Sequence, residues 1–261
     1  MSLKGKVAVI TGGGSGIGRA TALRLAADGA RVAVLGRTAD ELDKVVSEVE
    51  GNGGEAMAGT ADIAKPEEIR DAINGIVGKW GRIDILFANA GVNGVWATIE
   101  DLEPDEWQQT ISINLNGTFF TLKYAVPHLK KRGGSIIINS SVNGTRVFSN
   151  TGATAYASTK AAQVAMAKML ALELAGDRVR VNVICPGAIE TSIGDNTDQR
   201  KIEQAGVPVE FPEGWHPLRG EPGSSEDVAQ LVHFLSSDAA RHITGTEIWI
   251  DGGESLIGIK G

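Results

Sequence analysis

Short apolar runs recur along the chain, separated by stretches whose apolar positions follow a helical period. The runs VAVIT (7–11), RVAVL (31–35), residues 55–60, IDILF (83–87), SIIINS (135–140), VRVNVI (179–184) and TEIWI (246–250) predict seven strands. Most are apolar at successive positions, which fits strands covered on both faces. The intervening pattern predicts helices over 16–28, 39–50, 66–79, 105–131, 155–175 and 225–237. Their starts carry matching chemistry: Asp40 and Glu41, Pro66-Glu67-Glu68, and Ser225-Glu226-Asp227 put acids at the positive helix end. Such alternation predicts an α/β architecture, a doubly wound seven-stranded parallel sheet flanked by helices on both faces.

No repeat or linker interrupts residues 1–261, so the expectation is a single domain. One irregular stretch, 188–224, is long enough to be functional, and it is expected to fold over a ligand as a lid. Its Phe211 and Trp215 would either cap a substrate or pack the lid onto the body. The formal charge of −7 argues against nucleic acid or an anionic membrane as a partner. The single cysteine, Cys185, excludes an internal disulfide and reads as a buried thiol. With no membrane-length apolar stretch and no signal-like N-terminal run, the expected setting is cytoplasmic. The four histidines show no ligand spacing, so no catalytic metal is expected.

The first strand runs into TGGGSGIG, Thr11 to Gly18, and then into a helix. Glycines at 12, 16 and 18 let the backbone approach a pyrophosphate, whose charge meets the amides of the helix end. The spacing is not G-x-G-x-x-G. At the end of the second strand, where an acid would read a free ribose 2′-hydroxyl, the chain has Gly36-Arg37-Thr38. A guanidinium there suits a 2′-phosphate, so NADP is expected over NAD, with Asp40 as the residue that could still reach the ribose.

Tyr156 and Lys160 are four apart and share a helical face. An ammonium and an oxidised nicotinamide beside a phenol both favour the phenolate, and would make Tyr156 a usable acid/base. Strand 135–140 ends in Ser140-Ser141, where a hydroxyl can hold a substrate oxygen. Strand 83–87 leads to Ala88-Asn89-Ala90-Gly91, small enough for a cofactor to lie close. Asn114, a mediocre helix former, falls inside 105–131. It is either a satisfied polar residue or the mark of a kinked helix that carries a bound water toward Lys160.

Together TGGGSGIG (11–18), ANAG (88–91), Asn114, SS (140–141), YASTK (156–160), PG (186–187) and IDGG (250–253) resemble the short-chain dehydrogenase/reductase family. The likeness is to its single-domain branch and to members of the 3-oxoacyl-carrier-protein reductase type, and covers about residues 5–253. It implies a Rossmann-type fold, oxidoreductase activity on a small carbonyl or alcohol, and a catalytic tetrad of Asn114, Ser141, Tyr156 and Lys160. It implies cofactor contacts from Thr11, Gly12, Ser15, Gly16, Ile17 and Gly18, and from Arg37, where this family reads NADP. Asp62 and Ile63 would meet the adenine edge, and Asn89, Ala90 and Gly91 the adenosine side. Lys160 would also bond the nicotinamide ribose, Ile189 and Thr191 would hold the carboxamide, and Tyr156, Pro186 and Gly187 would be further cofactor contacts.

The Ser141-to-Tyr156 interval is two residues longer than usual in the family, which predicts a bulged loop at the pocket mouth. Ser140 or Asn143 could then take the place of Ser141. Helix 155–175 is apolar nearly all round, so a subunit contact through it and 105–131 is expected, and the resemblance implies a homotetramer. Other readings are an NAD-dependent alcohol or sugar dehydrogenase, an epimerase or dehydratase, and a nucleotide-binding regulator without turnover. The short chain leaves little room for the substrate domain of the epimerases, and the filled tetrad positions argue against the regulator.

Overall fold

The computed structural model describes residues 2–191, 194, 197–204, 206 and 216–257. Its strands are β1 (Val7–Thr11), β2 (Arg31–Gly36), β3 (Glu55–Thr60), β4 (Ile85–Ala88), β5 (Gly94–Ala97), β6 (Gly134–Asn139), β7 (Val179–Pro186), β8 (Thr197–Arg200) and β9 (Glu247–Ile250). Its helices are α1 (Gly16–Ala27), α2 (Ala39–Gly51), α3 (Pro66–Trp80), α4 (Pro104–Ile111), α5 (Gly117–Leu129), α6 (Thr154–Glu173) and α7 (Ser225–Ser236). Seven strands form one parallel sheet in the order β3-β2-β1-β4-β6-β7-β9.

The period-two alternation of side chains along these strands divides the core in two. Val7 and Val9 of β1, Leu86 of β4 and Ile136 and Ile138 of β6 pack with Ile69, Ile73 and Ile76 of α3, Leu122 of α5 and Ala167 of α6. Ala8, Ile10, Ile85, Phe87 and Ile137 turn to the opposite face, against Leu25 of α1, Val45 of α2 and Val232 of α7. Both faces being covered is the reason the strands read as unbroken apolar runs. The strand order runs outward in opposite directions from the β1–β4 pair, which opens a crevice at the carboxyl ends of those two strands.

Three features depart from the expected elements. Helix 105–131 is interrupted: Ser112–Asn116 form a π turn between α4 and α5, closed by the Gly117 amide on the Ser112 carbonyl. The expected lid contains a strand, β8, which pairs in parallel with β5 outside the main sheet. Arg200 of β8 holds both carboxylate oxygens of Glu106 on α4, at 3.0 and 2.7 Å, and Asn93 donates to Thr197 at 2.7 Å. The lid's neck is closed by a bridge between Ile189 and Gly223, with Gly223 N donating to the Ala188 carbonyl and Glu190 N to that of Gly223. Phe211 and Trp215 lie outside the described residues. No helix among the described residues is long and apolar enough to cross a membrane.

Candidate functional site

A cavity of about 420 Å³ lies over the crevice. Its walls include Gly12, Ser15, Gly16 and Ile17 from the glycine turn, Arg37, Asp62 and Ile63 at one end, and Asn89, Ala90 and Gly91 after β4. Tyr156, Lys160, Ser140 and Ser141 stand at the other end, with Pro186, Gly187, Ile189 and Thr191. Three expected site residues sit behind the wall rather than on it. Thr11 braces the turn after β4: its Oγ1 accepts from the amides of Asn89 at 3.0 Å and Ala90 at 3.1 Å. Gly18 packs on the Gly12 carbonyl, where a Cβ would sit 1.9 Å from the oxygen. Asn114 is fully buried.

Gly12 and Gly16 adopt φ of +63° and +48°, a left-handed backbone that side chains disfavour. Ser15, the residue before α1, makes no side-chain cap, and the first turn of α1 holds no acid. The helix therefore presents amides that its own side chains leave uncapped, toward a cavity wall where Gly12, Gly14 and Gly16 carry no side chain. That cradle fits the pyrophosphate of a dinucleotide. At the Arg37 end of the cavity the guanidinium makes no ion pair among the described residues. Beside Asp62, the acid from α2 that lines this end is Glu41, whereas Asp40 does not line it. Glu41 lies across the glycine turn, where a Cβ on Gly14 would come within 2.9 Å of its own Cβ.

At the opposite end, β6 and α6 bring the titratable groups together. Tyr156 is 8% exposed and Lys160 4%. Lys160 Nζ donates to the Asn139 carbonyl at 2.8 Å and stands 5.4 Å from the centre of the Tyr156 ring. Ser141 faces the Tyr156 hydroxyl and favours its ionised form, whereas Ser140 turns away and donates to the Lys160 carbonyl at 2.8 Å. Asn143 gives its amide to Ser141 Oγ at 3.1 Å, and its side chain is engaged by Asn150. The two-residue extension thus folds as a turn after Val142 and leaves the Ser141–Tyr156 contact in place.

The expected lowering of the phenol rested on the ammonium and an oxidised nicotinamide together, and the protein's own groups act in the other direction. Burial pushes the Tyr156 pKa above its ordinary value, and Ser141 only partly offsets this. Burial also lowers Lys160 to about 8. The protein's own groups therefore hold the phenol protonated at neutral pH. Cys185 is fully buried, and burial pushes its thiol up to about 11, which leaves it inert. Among the described residues no cluster of His, Cys, Asp and Glu could hold a metal.

Asn114 occupies the π turn. Its side chain pairs with the backbone of Val92, accepting from the amide at 2.9 Å and donating to the carbonyl at 2.9 Å. Its own carbonyl accepts from Gln163 at 2.8 Å and Thr118 at 2.7 Å. That carbonyl thus takes two hydrogen bonds, one from α6 and one from α5. Asn139, Val92 and Gln163 were not anticipated. Asn139 carried a signal, a polar residue ending an apolar strand; Val92 acts through its backbone and carried none.

A family model described as enoyl-(acyl carrier protein) reductase matches residues 12–255. The 3-oxoacyl-[acyl-carrier-protein] reductase of Thermotoga maritima is 39% identical over 254 residues, covering 97% of this chain and 99% of that protein. The crystal structure of a 3-ketoacyl-ACP reductase from Sinorhizobium meliloti 1021 superposes with a TM-score of 0.92 at 54% identity, over 96% of this chain and 99% of the other. A 3-ketoacyl-(acyl-carrier-protein) reductase from Brucella melitensis, complexed with NADH, superposes with a TM-score of 0.85 at 31% identity, over 97% of this chain and 100% of the other.

Proposed function

Because the chain belongs to the short-chain dehydrogenase/reductases, a family of nicotinamide-dependent oxidoreductases, we propose that it is an NADP(H)-dependent carbonyl reductase or secondary-alcohol dehydrogenase with Tyr156 as acid/base. One observation carries the reading: Ser141, Tyr156 and Lys160 line a cavity whose far end is an uncapped, glycine-rich turn.

A bound nicotinamide supplies or takes up the hydride. The chain's own residues handle the proton. In reduction the Tyr156 hydroxyl gives its proton to the carbonyl oxygen as that oxygen becomes an alcohol; oxidation reverses the transfer. A phenol kept protonated by burial is in the form that reduction needs. Ser141 Oγ donates to the same substrate oxygen and aims it at Tyr156. Lys160, tethered to the Asn139 carbonyl, keeps a positive charge near the phenolate left behind. Asn114 acts from behind the wall by setting Val92.

The preference for NADP rests on Arg37, an unpaired guanidinium beside Gly36 and an α2 start that Thr38 does not cap with its side chain. Glu41 on the same wall acts against a 2′-phosphate. Residues 188–224 are read as the substrate lid, and Leu172 and Met169 of α6, 83% and 72% exposed, as part of a face covered by other copies in a homotetramer. The test is a panel of ketones with NADPH and NADH, and of alcohols with NADP and NAD, followed at the nicotinamide absorbance. Turnover should favour NADPH and should drop about 100-fold or more in Tyr156→Phe with dinucleotide binding retained. Full activity of Tyr156→Phe overturns the acid/base role; equal use of NADH, unchanged by Arg37→Ala, overturns the cofactor preference.

A further inference from the structure

Helix α6 carries a buried polar side chain that this proton transfer does not use. Gln163 follows Lys160 by one helical turn, is 1% exposed, and reaches across to the π turn. Its Nε2 donates to the Asn114 carbonyl at 2.8 Å and to Thr118 Oγ1 at 2.9 Å, while the Thr118 hydroxyl donates to the same carbonyl. A carbonyl only accepts, so the amino end of the amide must face it, and the orientation of the carboxamide follows. Gln163 Oε1 is then left buried without a hydrogen-bond partner. A methionine would fill the space without that cost. The side chain's contribution therefore lies at its donor end.

That end closes a chain of contacts leading to the cavity. A π turn has poorer backbone hydrogen bonds than an α-helix and needs anchoring from outside. Gln163 ties the turn to α6 at the carbonyl of Asn114, and Asn114 ties it onward to both backbone groups of Val92 and to Thr159 Oγ1 at 3.2 Å. The adjoining Gly91 is packed so closely that a Cβ there would lie 3.1 Å from Asn114 Oδ1 and 3.7 Å from Lys160 Nζ. We propose that Gln163 is a positioning residue: its amide clamps the π turn to α6, and so holds Asn114, the Gly91-Val92 wall and Lys160 in the register in which Tyr156 works. This rests on the acid/base reading of Tyr156 only for its effect on turnover.

Gln163→Met removes the donor and keeps the bulk. Gln163→Glu supplies a donor only while its carboxyl is protonated. The segment Ser112–Thr118 holds no titratable side chain, and Lys160 and Tyr156 are the titratable groups on the facing part of α6. In Gln163→Met, amide exchange at Val92 should quicken about 10-fold against Ile137 of β6 as an internal control. Its kcat for NADPH-dependent reduction of ethyl acetoacetate should fall about 10-fold, with KM changed less than about twofold. Gln163→Glu should match the wild type at low pH and lose both Val92 protection and kcat as pH rises, a limb missing from the wild type and from Gln163→Met. Unchanged Val92 exchange in Gln163→Met overturns the clamp whatever the activity. A Gln163→Glu profile that overlays that of Gln163→Met overturns it as well. If exchange responds as expected while Tyr156→Phe stays fully active, the acid/base reading fails and the clamp stands.

Discussion

Lys160→Met measures what holding an ammonium inside the site costs the fold. Burial lowers the Lys160 pKa from 10.5 to about 8. A lysine with a depressed folded value loses its proton first in the folded state. From about pH 8 upward the unfolded chain therefore binds more protons, and stability rises with pH. Below that point both states are charged and folding bears the whole cost, about 3 kcal/mol for a fall from 10.5 to about 8. Integration between the two values returns about 1.3 kcal/mol of it between roughly pH 7 and 9. Lys160→Met has no charge to lose and should gain nothing from this source. It also forfeits the bond to the Asn139 carbonyl, a penalty of about 1–3 kcal/mol that is the same at every pH. Cys185, raised to about 11, has the opposite sign: its unfolded thiol ionises first, so stability is lost as pH climbs past about 9. Because Lys160 itself lowers the Cys185 value, that loss does not cancel in their difference, and both proteins are compared in a Cys185→Ser background. Urea unfolding followed by tryptophan fluorescence at pH 7, 8 and 9, at one protein concentration, supplies the comparison. The stability of the Lys160 protein relative to Lys160→Met should grow by about 1.3 kcal/mol between roughly pH 7 and 9. Parallel pH curves would refute the reasoning, because they would mean that the ammonium is solvated in the folded protein.

Two further outcomes follow from the 188–224 segment and from α6. Arg200→Met removes the two-point contact with Glu106; global stability should change little, while proteolysis within 197–204 quickens and, if this segment covers the substrate, substrate KM rises with dinucleotide affinity unchanged. An unaltered digestion pattern would show that this contact does not hold β8. Sedimentation should give a tetramer that Leu172→Glu shifts to smaller species, and a wild type that is monomeric at every concentration would remove the reading of the α6 face.

The architecture was legible because its causes are local. Val7 to Ile10 and Ile136 to Ile138 are apolar at every position since side chains alternate between two covered faces, and that condition is written directly in the strand. The glycine turn was legible for a similar reason: Gly12 and Gly16 sit at positive φ, and Gly18 stands where no Cβ fits. The four-residue spacing of Tyr156 and Lys160 placed both on one helical face before any contact was known.

What escaped the sequence depends on partners distant along the chain. TDQR of β8 has no apolar face, and it forms a strand only because β5 and Glu106 receive it. The π turn is one helix pattern in the sequence, and its widening goes with what α6 offers the Asn114 carbonyl from 49 residues away. Glu41 rather than Asp40 lines the Arg37 end of the cavity because the rotation of α2 against the glycine turn decides which acid faces it. At Tyr156, spacing along a helix reveals a neighbouring charge, but only the packed structure determines how much water is removed from the phenol, and burial is the largest influence of the protein's own groups there.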